Sequence, residues 1–563
     1  MTNMPVTDQQ SPRVPRTGNL VKPTTKPRDP HDAAPARRSR PKAAPPKPAG
    51  WLAYLALIIL TIGCYAPIFT SDLLWSPYDE VERSAYQSME SWTQAWLLAT
   101  IRSEDPLTLT SYFIEKKLPF DPATSHHAIN LLLHITAAIL LLKTLEALKL
   151  TAAFWAALAF ALHPSALQTI FWSGFRQELL GLVLLLAALF FGVRNRNARD
   201  FFMLIVLSVL GYLLHPATLL LPLLLGLCIF HQNTSLHLKD YNRLLPLLCL
   251  ALFIGVWTQG ERTGLEIGFS ERIGIYAQNF FFYLKQGLMP FELALFHPFD
   301  QAQGSKVSVQ NSFLPFLLFI PFYVLIAINY KKAWARTVLL GLTAYLLVIL
   351  YGLSQTGSFI DGSLAHEDRL HYIALPILVA LVICTAGGIA RNMGASGKIL
   401  CYFGFTVLAV LQVAITAAFA YKVSDRAQMW YSLSEQWPDA LIPKLALINT
   451  LQASDEENKI LSKNEIIKML ISILDQQPDL TEVRQLLVRI YRDEGQNTNA
   501  LRQYQRILRD SAPSNEFLKE AADFYQKLGL DYDASKTRER ITTSTISTTS
   551  TSTTSNSTTT STE

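Results

Sequence analysis

Two adjacent carboxylates, Asp79 and Glu80, follow the first long apolar run of the chain, within the sequence LLWSPYDEVERSAYQSMESW (73–92). A carboxylate pair at a membrane boundary can coordinate a divalent cation such as Mg²⁺ or Mn²⁺, or act as a general base. The alternative is a solvated segment in which both acids precede a helix and interact with its dipole. The pair alone leaves both interpretations open, so the elements around it have to be considered.

Three polar residues share one face of the second apolar run, in the sequence SHHAINLLLHI (125–135). His127, Asn130 and His134 are spaced i, i+3 and i+7, which places them on one side of a helix. Polar side chains inside a membrane span usually face the bundle interior or a water-filled cavity. The alternative is that they hydrogen-bond from helix to helix.

Two further segments place cations and histidines at membrane boundaries. His163 precedes a proline at the end of one apolar run, and Arg176 and Glu178 open the next. The late segment LAHEDRLHYIALP (364–376) contains Arg369. An arginine at such a boundary can hold a phosphate by paired hydrogen bonds. Arg176 can equally be an interfacial anchor or a partner of Glu178.

The composition indicates a polytopic membrane protein. Of 563 residues, half are apolar and only 17% are charged, and the apolar residues form long runs. The five cysteines fall in these runs without metal-ligand spacing. Residues 1–50 carry ten Lys and Arg against three Asp and many prolines, which predicts a disordered basic tail on the cytoplasmic side.

Hydropathy predicts about eleven membrane spans. The basic loops between them fall on the side of the basic tail, so the large segments 71–126, 259–312 and 353–369 fall on the opposite, extracytoplasmic side. An odd number of spans also places everything after residue 422 outside the cytoplasm. The predicted spans are 51–70, 127–148, 151–169, 177–193, 201–214, 217–230, 244–258, 313–329, 334–352, 370–389 and 399–421. Together they form the membrane domain, 51–421.

The remainder of the chain, 422–541, is predicted to form a small extracytoplasmic helical domain. Two units repeat with a period of 34, which is typical of tetratricopeptide repeats. The matching residues are Tyr491, Gly495 and Ala500 in the first unit and Tyr525, Gly529 and Ala534 in the second. Residues 542–563 are a Ser/Thr-rich low-complexity tail, predicted to be disordered.

The order of these motifs resembles that of the transmembrane and tetratricopeptide-repeat O-mannosyltransferases. More widely it resembles the GT-C glycosyltransferases, which include the protein O-mannosyltransferases. The shared pattern is WxxYD[DE], HxxNxxxH, [FA]xHP, RxE, an aromatic segment ending in Leu-x-Pro, a late DR…Y…LP stretch and trailing repeats. The likeness runs through residues 70–300 and 364–376. It implies an all-α, GT-C-like bundle of about 11 transmembrane helices with a large first extracytoplasmic loop.

The resemblance also implies a reaction and a set of site residues. A bacterial relative would transfer a sugar from a polyprenyl-phosphate-linked donor to a protein or glycan acceptor on the extracytoplasmic face. Asp79 matches the catalytic base and Glu80 its neighbour, with a divalent cation as an optional partner of both. Arg176 or Arg369 could supply the positive charge that stabilises the departing phosphate. Matching substrate-binding or lipid-phosphate-binding positions are His127, Asn130, His163, Arg176, Glu178, Arg369 and Tyr372.

The sequence departs from this family at two motifs, and other functions stay open. Asp105 stands where the family has an arginine before a proline, and His215–Pro216 replaces an expected Lys-Glu pair. One alternative is an oligosaccharide transferase or polymerase that uses a lipid-diphosphate donor. Another is a non-catalytic, membrane-anchored tetratricopeptide scaffold.

The expected location is a bacterial inner membrane, with a cytoplasmic N-terminus and an extracytoplasmic C-terminal domain. Expected partners are the lipid-linked sugar, membrane lipid, and an acceptor that the repeat domain can bind. No nucleic-acid partner is expected.

Overall fold

The structure of the protein is a computed structural model. It describes residues 48–71, 106–233, 237, 241–242, 244–257, 269–290, 293–295, 297–298, 309–354, 365–366, 371–453, 461–510 and 513–541. Within these ranges the chain is almost entirely helical, which confirms the predicted fold class at this level.

The described membrane part contains fourteen α-helices, joined in places by single 3₁₀ turns. They are α1 (Trp51–Tyr65), α2 (Pro106–Glu115), α3 (Pro122–Ala147), α4 (Ala153–Ala161), α5 (Leu167–Phe171), α6 (Arg176–Arg194), α7 (Ala198–Leu214), α8 (Leu221–Gln232), α9 (Leu244–Trp257), α10 (Phe269–Leu288), α11 (Val309–Ile328), α12 (Ala333–Ser354), α13 (Leu375–Asn392) and α14 (Gly394–Ser424).

Six helices of the described chain are long and apolar enough to cross a membrane, and a seventh span is added if one bent pair counts. The six are α1 with the turn after it, α3, α6, α12, α13 and α14. Three further apolar helices are shorter, at Pro216–Gln232, Leu244–Val256 and Phe319–Ile328. The structure therefore supports a multi-pass membrane protein, and the number eleven stays a prediction.

The bent pair corresponds to the predicted span 151–169 and is broken at His163–Pro164. Its two parts, α4 and a second helical segment that begins at Pro164, meet at an angle of 51°. Proline lacks the N–H that would continue the helix, and the His163 ring accepts a hydrogen bond from Ser165 N at 3.3 Å. The same capping arrangement occurs at His215–Pro216, where Ala217 N donates to His215 Nδ1 at 3.1 Å.

Helix α3 lies at the centre of the bundle, against α1, α4 and α6, and α6 in turn packs on α7. It begins five residues before the predicted span. Asp121 caps its N-terminus by accepting from Thr124 N at 3.1 Å, and Pro122 occupies the first turn, where its missing N–H costs nothing. This start places His126, His127 and Asn130 in the first turns of the helix.

Seven helices follow the membrane part. They are α15 (Arg426–Gln436), α16 (Leu441–Ala453), α17 (Lys463–Gln476), α18 (Thr481–Asp493), α19 (Asn497–Asp510), α20 (Asn515–Lys527) and α21 (531–541).

The two sequence repeats adopt the same turn between their helices. Gly495 and Gly529 have φ of +69° and +76°, and the backbone N–H that follows each bonds back to the carbonyl of Tyr491 or Tyr525. The repeated alanines are buried at the helix crossings. The assignment of these pairs as tetratricopeptide repeats stays a prediction.

One short antiparallel pair of strands joins two segments that lie far apart in sequence. Strand β1 (His297–Pro298) pairs with β2 (Ala365–His366), with His297 opposite His366. The pair links the segment after α10 to the late segment that leads into α13.

Candidate functional site

The predicted site residues that the structure describes gather toward one end of the membrane bundle. This end, called the Arg176 end below, carries Ser71 at the exit of α1, the start of α3 and the start of α6. The opposite end carries the last residues of α3 and is called the Leu148 end. Asp79, Glu80 and Arg369 lie outside the described residues.

Arg176 is the centre of a buried polar cluster. Its side chain is fully buried, and its guanidinium forms an ion pair with Glu115, which is also buried. Its Nε donates to Asn130 Oδ1 at 2.8 Å. Its Nη2 lies 3.0 Å from His126 Nδ1 and 3.4 Å from the His126 carbonyl oxygen. The ring of Tyr112 covers the guanidinium at 4.7 Å. We call these five residues the Arg176 cluster.

The contacts around His126 fix which of its ring nitrogens carries the proton. Asn130 Nδ2 donates to the Ile170 carbonyl and also lies 3.0 Å from His126 Nε2, so Nε2 is the acceptor. The proton is then on Nδ1, which donates to Glu115 Oε1 at 3.1 Å. The short approach of the Arg176 guanidinium to Nδ1 is therefore a packing contact, and its hydrogen bond goes to the His126 carbonyl.

This cluster holds helix α2 on the bundle. Glu115 is the last residue of α2, and it is bonded to α3 through His126 and to α6 through Arg176. Every nitrogen of the guanidinium already has a protein partner. A phosphate oxygen could bind Arg176 only by displacing one of them.

Sequence analysis missed Glu115, His126 and Tyr112. The segment 107–117 reads as an amphipathic helix, and its polar side would be expected to face water. In the structure that side is buried, because Thr108, Tyr112 and Glu115 share one helix face and all three are less than a tenth exposed. Their i, i+4 and i+7 spacing was the available signal.

His134 and Tyr372 form a second buried contact, between α3 and the residues just before α13. The Tyr372 hydroxyl lies 2.8 Å from His134 Nδ1, and His134 Nε2 lies 3.1 Å from the Ala161 carbonyl oxygen. Since a carbonyl only accepts, Nε2 carries the proton and Tyr372 donates to Nδ1. His134 thus hydrogen-bonds from helix to helix.

His163 is likewise fully engaged within the protein. Its Nε2 donates to the Gly287 carbonyl at 3.2 Å, and its Nδ1 accepts the capping bond from Ser165. The Tyr65 hydroxyl donates to its backbone carbonyl at 3.0 Å. These contacts tie α1 and α10 to the break at Pro164.

His127 differs from His134 and His163, because one of its ring nitrogens has no hydrogen-bond partner among the described residues. The ring is fully buried and stacks on Phe171 with centroids 5.5 Å apart. Its Nε2 lies 3.3 Å from the Ser71 hydroxyl, while Nδ1 has no hydrogen-bond partner within the part of the chain described. Ser71 is the last described residue before the segment that contains Asp79 and Glu80.

Glu178 is buried in the first turn of α6, two residues from Arg176. Among the described residues there is no group of three or more His, Cys, Asp or Glu side chains arranged to hold a metal ion. The predicted cation partner concerns Asp79 and Glu80, and its site is therefore not among the described ranges.

Together the helices and the cluster define a multi-pass membrane protein with a buried polar site at one end. No protein-family model matches the chain. A protein O-mannosyl-transferase of Caenorhabditis elegans is 26% identical to it over 160 residues, which are 27% of this chain and 22% of that protein. The chain thus spans about a fifth of that relative's length. This weak likeness supports a relationship to glycosyltransferases.

Proposed function

We propose that the protein is an integral-membrane glycosyltransferase of the GT-C class, which transfers a sugar from a polyprenyl-phosphate-linked donor to a protein or glycan acceptor. The reaction takes place at the Arg176 end of the bundle, on the extracytoplasmic face. The likeness to the C. elegans O-mannosyl-transferase supports the class of reaction. The repeat domain is the proposed binding surface for the acceptor.

The observation that carries this proposal is the placement of the Arg176 cluster. The segment 72–105 with Asp79 and Glu80 begins at Ser71, which contacts His127, and continues into α2, which Glu115 fixes to α3 and α6. Both ends of the acidic segment are therefore anchored at the same end of the bundle. A base can act only when it is held within hydrogen-bond reach of the proton that it removes.

In the proposed reaction Asp79 accepts the proton of the acceptor hydroxyl as its oxygen attacks the anomeric carbon of the sugar. The bond from that carbon to the phosphate oxygen breaks, and the polyprenyl phosphate leaves with the electron pair. Glu80 assists Asp79, with or without a divalent cation. Arg369 is the preferred cation for the leaving phosphate, because the Arg176 donors are engaged by protein groups.

The other predicted residues have different proposed roles in this reaction. His127 is the proposed substrate contact, because its Nδ1 has no hydrogen-bond partner among the described residues. Asn130, His163 and Tyr372 are proposed as positioning residues, since each makes hydrogen bonds within the protein. Glu178 stays a proposed cavity residue beside Arg176.

One observation favours the non-catalytic scaffold as a second candidate. Arg176, Asn130 and His163 direct their donors at protein acceptors, as purely structural polar residues would. A scaffold would keep the Arg176 cluster to hold α2 on the bundle and would have no use for Asp79.

The test is the variant Asp79→Asn, assayed with radiolabelled polyprenyl-phosphate sugar in proteoliposomes. We expect transfer to fall at least 100-fold, because general-base assistance contributes roughly 10²–10⁴-fold. Asp105→Asn, which removes an acid from the same segment, is the matched control and should keep full activity. Undiminished transfer by Asp79→Asn refutes the assignment of the base. A wild-type protein without transfer activity, for any acceptor presented, favours the scaffold.

A further inference from the structure

An apolar cavity lies at the Leu148 end of the bundle, away from the Arg176 cluster. The empty space within it is about 660 Å³, a figure that includes the solvent at its open side. Its wall is contributed by α3, α6, α8, α12 and α13 and is almost wholly apolar. Characteristic lining residues are Leu145, Leu148, Leu189, Cys228, Thr337 and Cys384.

The cavity and the candidate catalytic site lie toward opposite ends of the same helix. Asn130 lies near the start of α3, and Leu148 directly follows its last residue. The 18 residues between these positions correspond to about 27 Å along the helix axis. The hydrocarbon core of a membrane is about 30 Å thick. A ligand in this cavity therefore belongs to the membrane leaflet opposite the proposed sugar donor.

Basic and polar residues lie next to lining residues of the cavity. Arg336 directly precedes the lining residue Thr337, and Lys149 directly follows the lining residue Leu148. His231 lies one helical turn beyond Cys228 and approaches Arg336 and the backbone of Leu148. Lys149 is exposed, while Arg336 is partly buried.

Two of these residues have side-chain atoms without a hydrogen-bond partner among the described residues. Arg336 Nε and His231 Nδ1 are shielded from solvent and have no hydrogen-bond partner within the described ranges. The Nη1 of Arg336 makes a long contact, 3.5 Å, with the Lys331 carbonyl. A shielded guanidinium N–H without a partner among the described residues is costly, so a ligand that supplies acceptor oxygens to Arg336 would be favoured here.

From this juxtaposition we infer that the cavity is a binding site for an anionic glycerophospholipid. Part of one acyl chain enters the apolar cavity, and the phosphate accepts hydrogen bonds from Arg336, with His231 and Lys149 beside it. The wall consists of membrane helices, so hydrocarbon chains are the apolar molecules that surround it. Basic pockets between membrane helices on the side of the basic loops are suited to anionic headgroups.

The test measures phospholipid bound to the full-length protein by native mass spectrometry after titration with phosphatidylglycerol or phosphatidylcholine. We expect wild type to prefer phosphatidylglycerol. Arg336→Gln should reduce the preference for phosphatidylglycerol about fivefold, as expected for removal of one charge near a headgroup. Lys332→Gln removes a charge from an exposed position in the same turn region and should keep the preference.

Two further measurements distinguish a bound lipid from other ligands. Thr337→Phe, which introduces a larger side chain at the cavity wall, should weaken both lipids while circular dichroism verifies the fold. Soluble glycerol phosphate should not compete. Equal effects of Arg336→Gln and Lys332→Gln, an unchanged affinity in Thr337→Phe, or competition by glycerol phosphate would each overturn the inference. None of these readouts depends on sugar transfer.

Discussion

Arg176 illustrates how a membrane protein accommodates a charge that lipid cannot solvate. The guanidinium is buried, which costs the free energy of its hydration. Contacts with a carboxylate, an amide oxygen, a backbone carbonyl and the face of a tyrosine ring offset this cost. Charged groups in the bilayer are expensive and are found paired. Replacing a buried ion pair by apolar residues is often neutral, so the pair is better explained by the geometry that it imposes on α2.

This explanation predicts the outcome of breaking the pair from one side. Glu115→Gln removes the carboxylate and leaves the Arg176 charge buried, which should cost about 3–5 kcal/mol of unfolding free energy. The double variant Glu115→Leu/Arg176→Met removes both charges and should recover most of that loss. The measurement is the unfolding transition in mixed detergent micelles.

An exposed ion pair serves as the control for this comparison. Lys463 and Glu494 are 2.7 Å apart, but the Lys463 side chain is 62% exposed. Lys463→Gln should therefore change stability by less than about 1 kcal/mol. A double variant as unstable as Glu115→Gln would show that the cluster adds net stability, and the geometric explanation would then fail.

The sequence allowed Arg176 to be predicted as a site residue, whereas the spacing that places Glu115 on a buried helix face does not reveal Arg176 as its partner. Arg176 stands at a boundary where basic residues are rare, and that is visible in the chain alone. Glu115 lies 61 positions away in a segment whose acids and lysines look solvent-exposed. Pairing across such a distance is decided by packing of α2 on the bundle, which no local pattern records.

Helices, by contrast, follow from local pattern. Apolar runs of span length and the proline breaks placed most helix ends within a few residues, because each helix satisfies its own backbone hydrogen bonds in lipid. The bend at Pro164 was harder to predict from the sequence. The capping bond from Ser165 N to His163 Nδ1 stabilises the break, while the apolar composition continues through it.

The repeat turns give a prediction at this scale. Gly495 and Gly529 have left-handed backbones, and a Cβ at either position would meet no atom within 4 Å. Replacement of either glycine by alanine should therefore lower the stability of the repeat helices only by the conformational penalty, about 1–2 kcal/mol. The loss should be the same at both positions. Asparagine, which tolerates this conformation, should cost less.

Amide hydrogen exchange of the full-length protein measures this effect, through lost protection of residues 481–541. Gly404→Ala is the matched control, since this glycine lies in α14 with equally open surroundings and no positive φ. It should leave protection of the repeat helices unchanged. Clearly unequal losses at Gly495 and Gly529 would mean that the two turns are not equivalent.

For the whole molecule, the bent pair α4–α5 determines the sidedness of everything that follows. Six spans would return the chain to the side of its N-terminus, whereas seven would not. If the four other apolar helices, α7, α8, α9 and α11, also cross the membrane, the total becomes the predicted eleven, which is odd as well. Hydropathy alone gave the odd number, but it could not show that a broken helix crosses the bundle.

The contacts of the bent pair indicate that it does cross. Near its beginning, the Thr151 hydroxyl donates to the Cys384 carbonyl at 2.9 Å, close to the cavity at the Leu148 end. At its other end, the Ile170 carbonyl accepts from Asn130 of the Arg176 cluster. The two ends of one segment therefore contact opposite ends of α3, as a membrane-crossing segment requires.

We therefore expect the repeat domain and the N-terminus on opposite sides of the membrane, and the loop at 194–200 on the side of the N-terminus. The measurement is a set of alkaline phosphatase fusions, active only outside the cytoplasm, placed after residues 196 and 541. With a cytoplasmic N-terminus, activity should appear at 541 and be absent at 196. A crossing by six spans gives the reverse result at both positions, because α6 would then leave the cytoplasm and α14 would return to it. That reversal would also separate the repeat domain from the Arg176 end, and with it the proposed role of the repeats in presenting an acceptor.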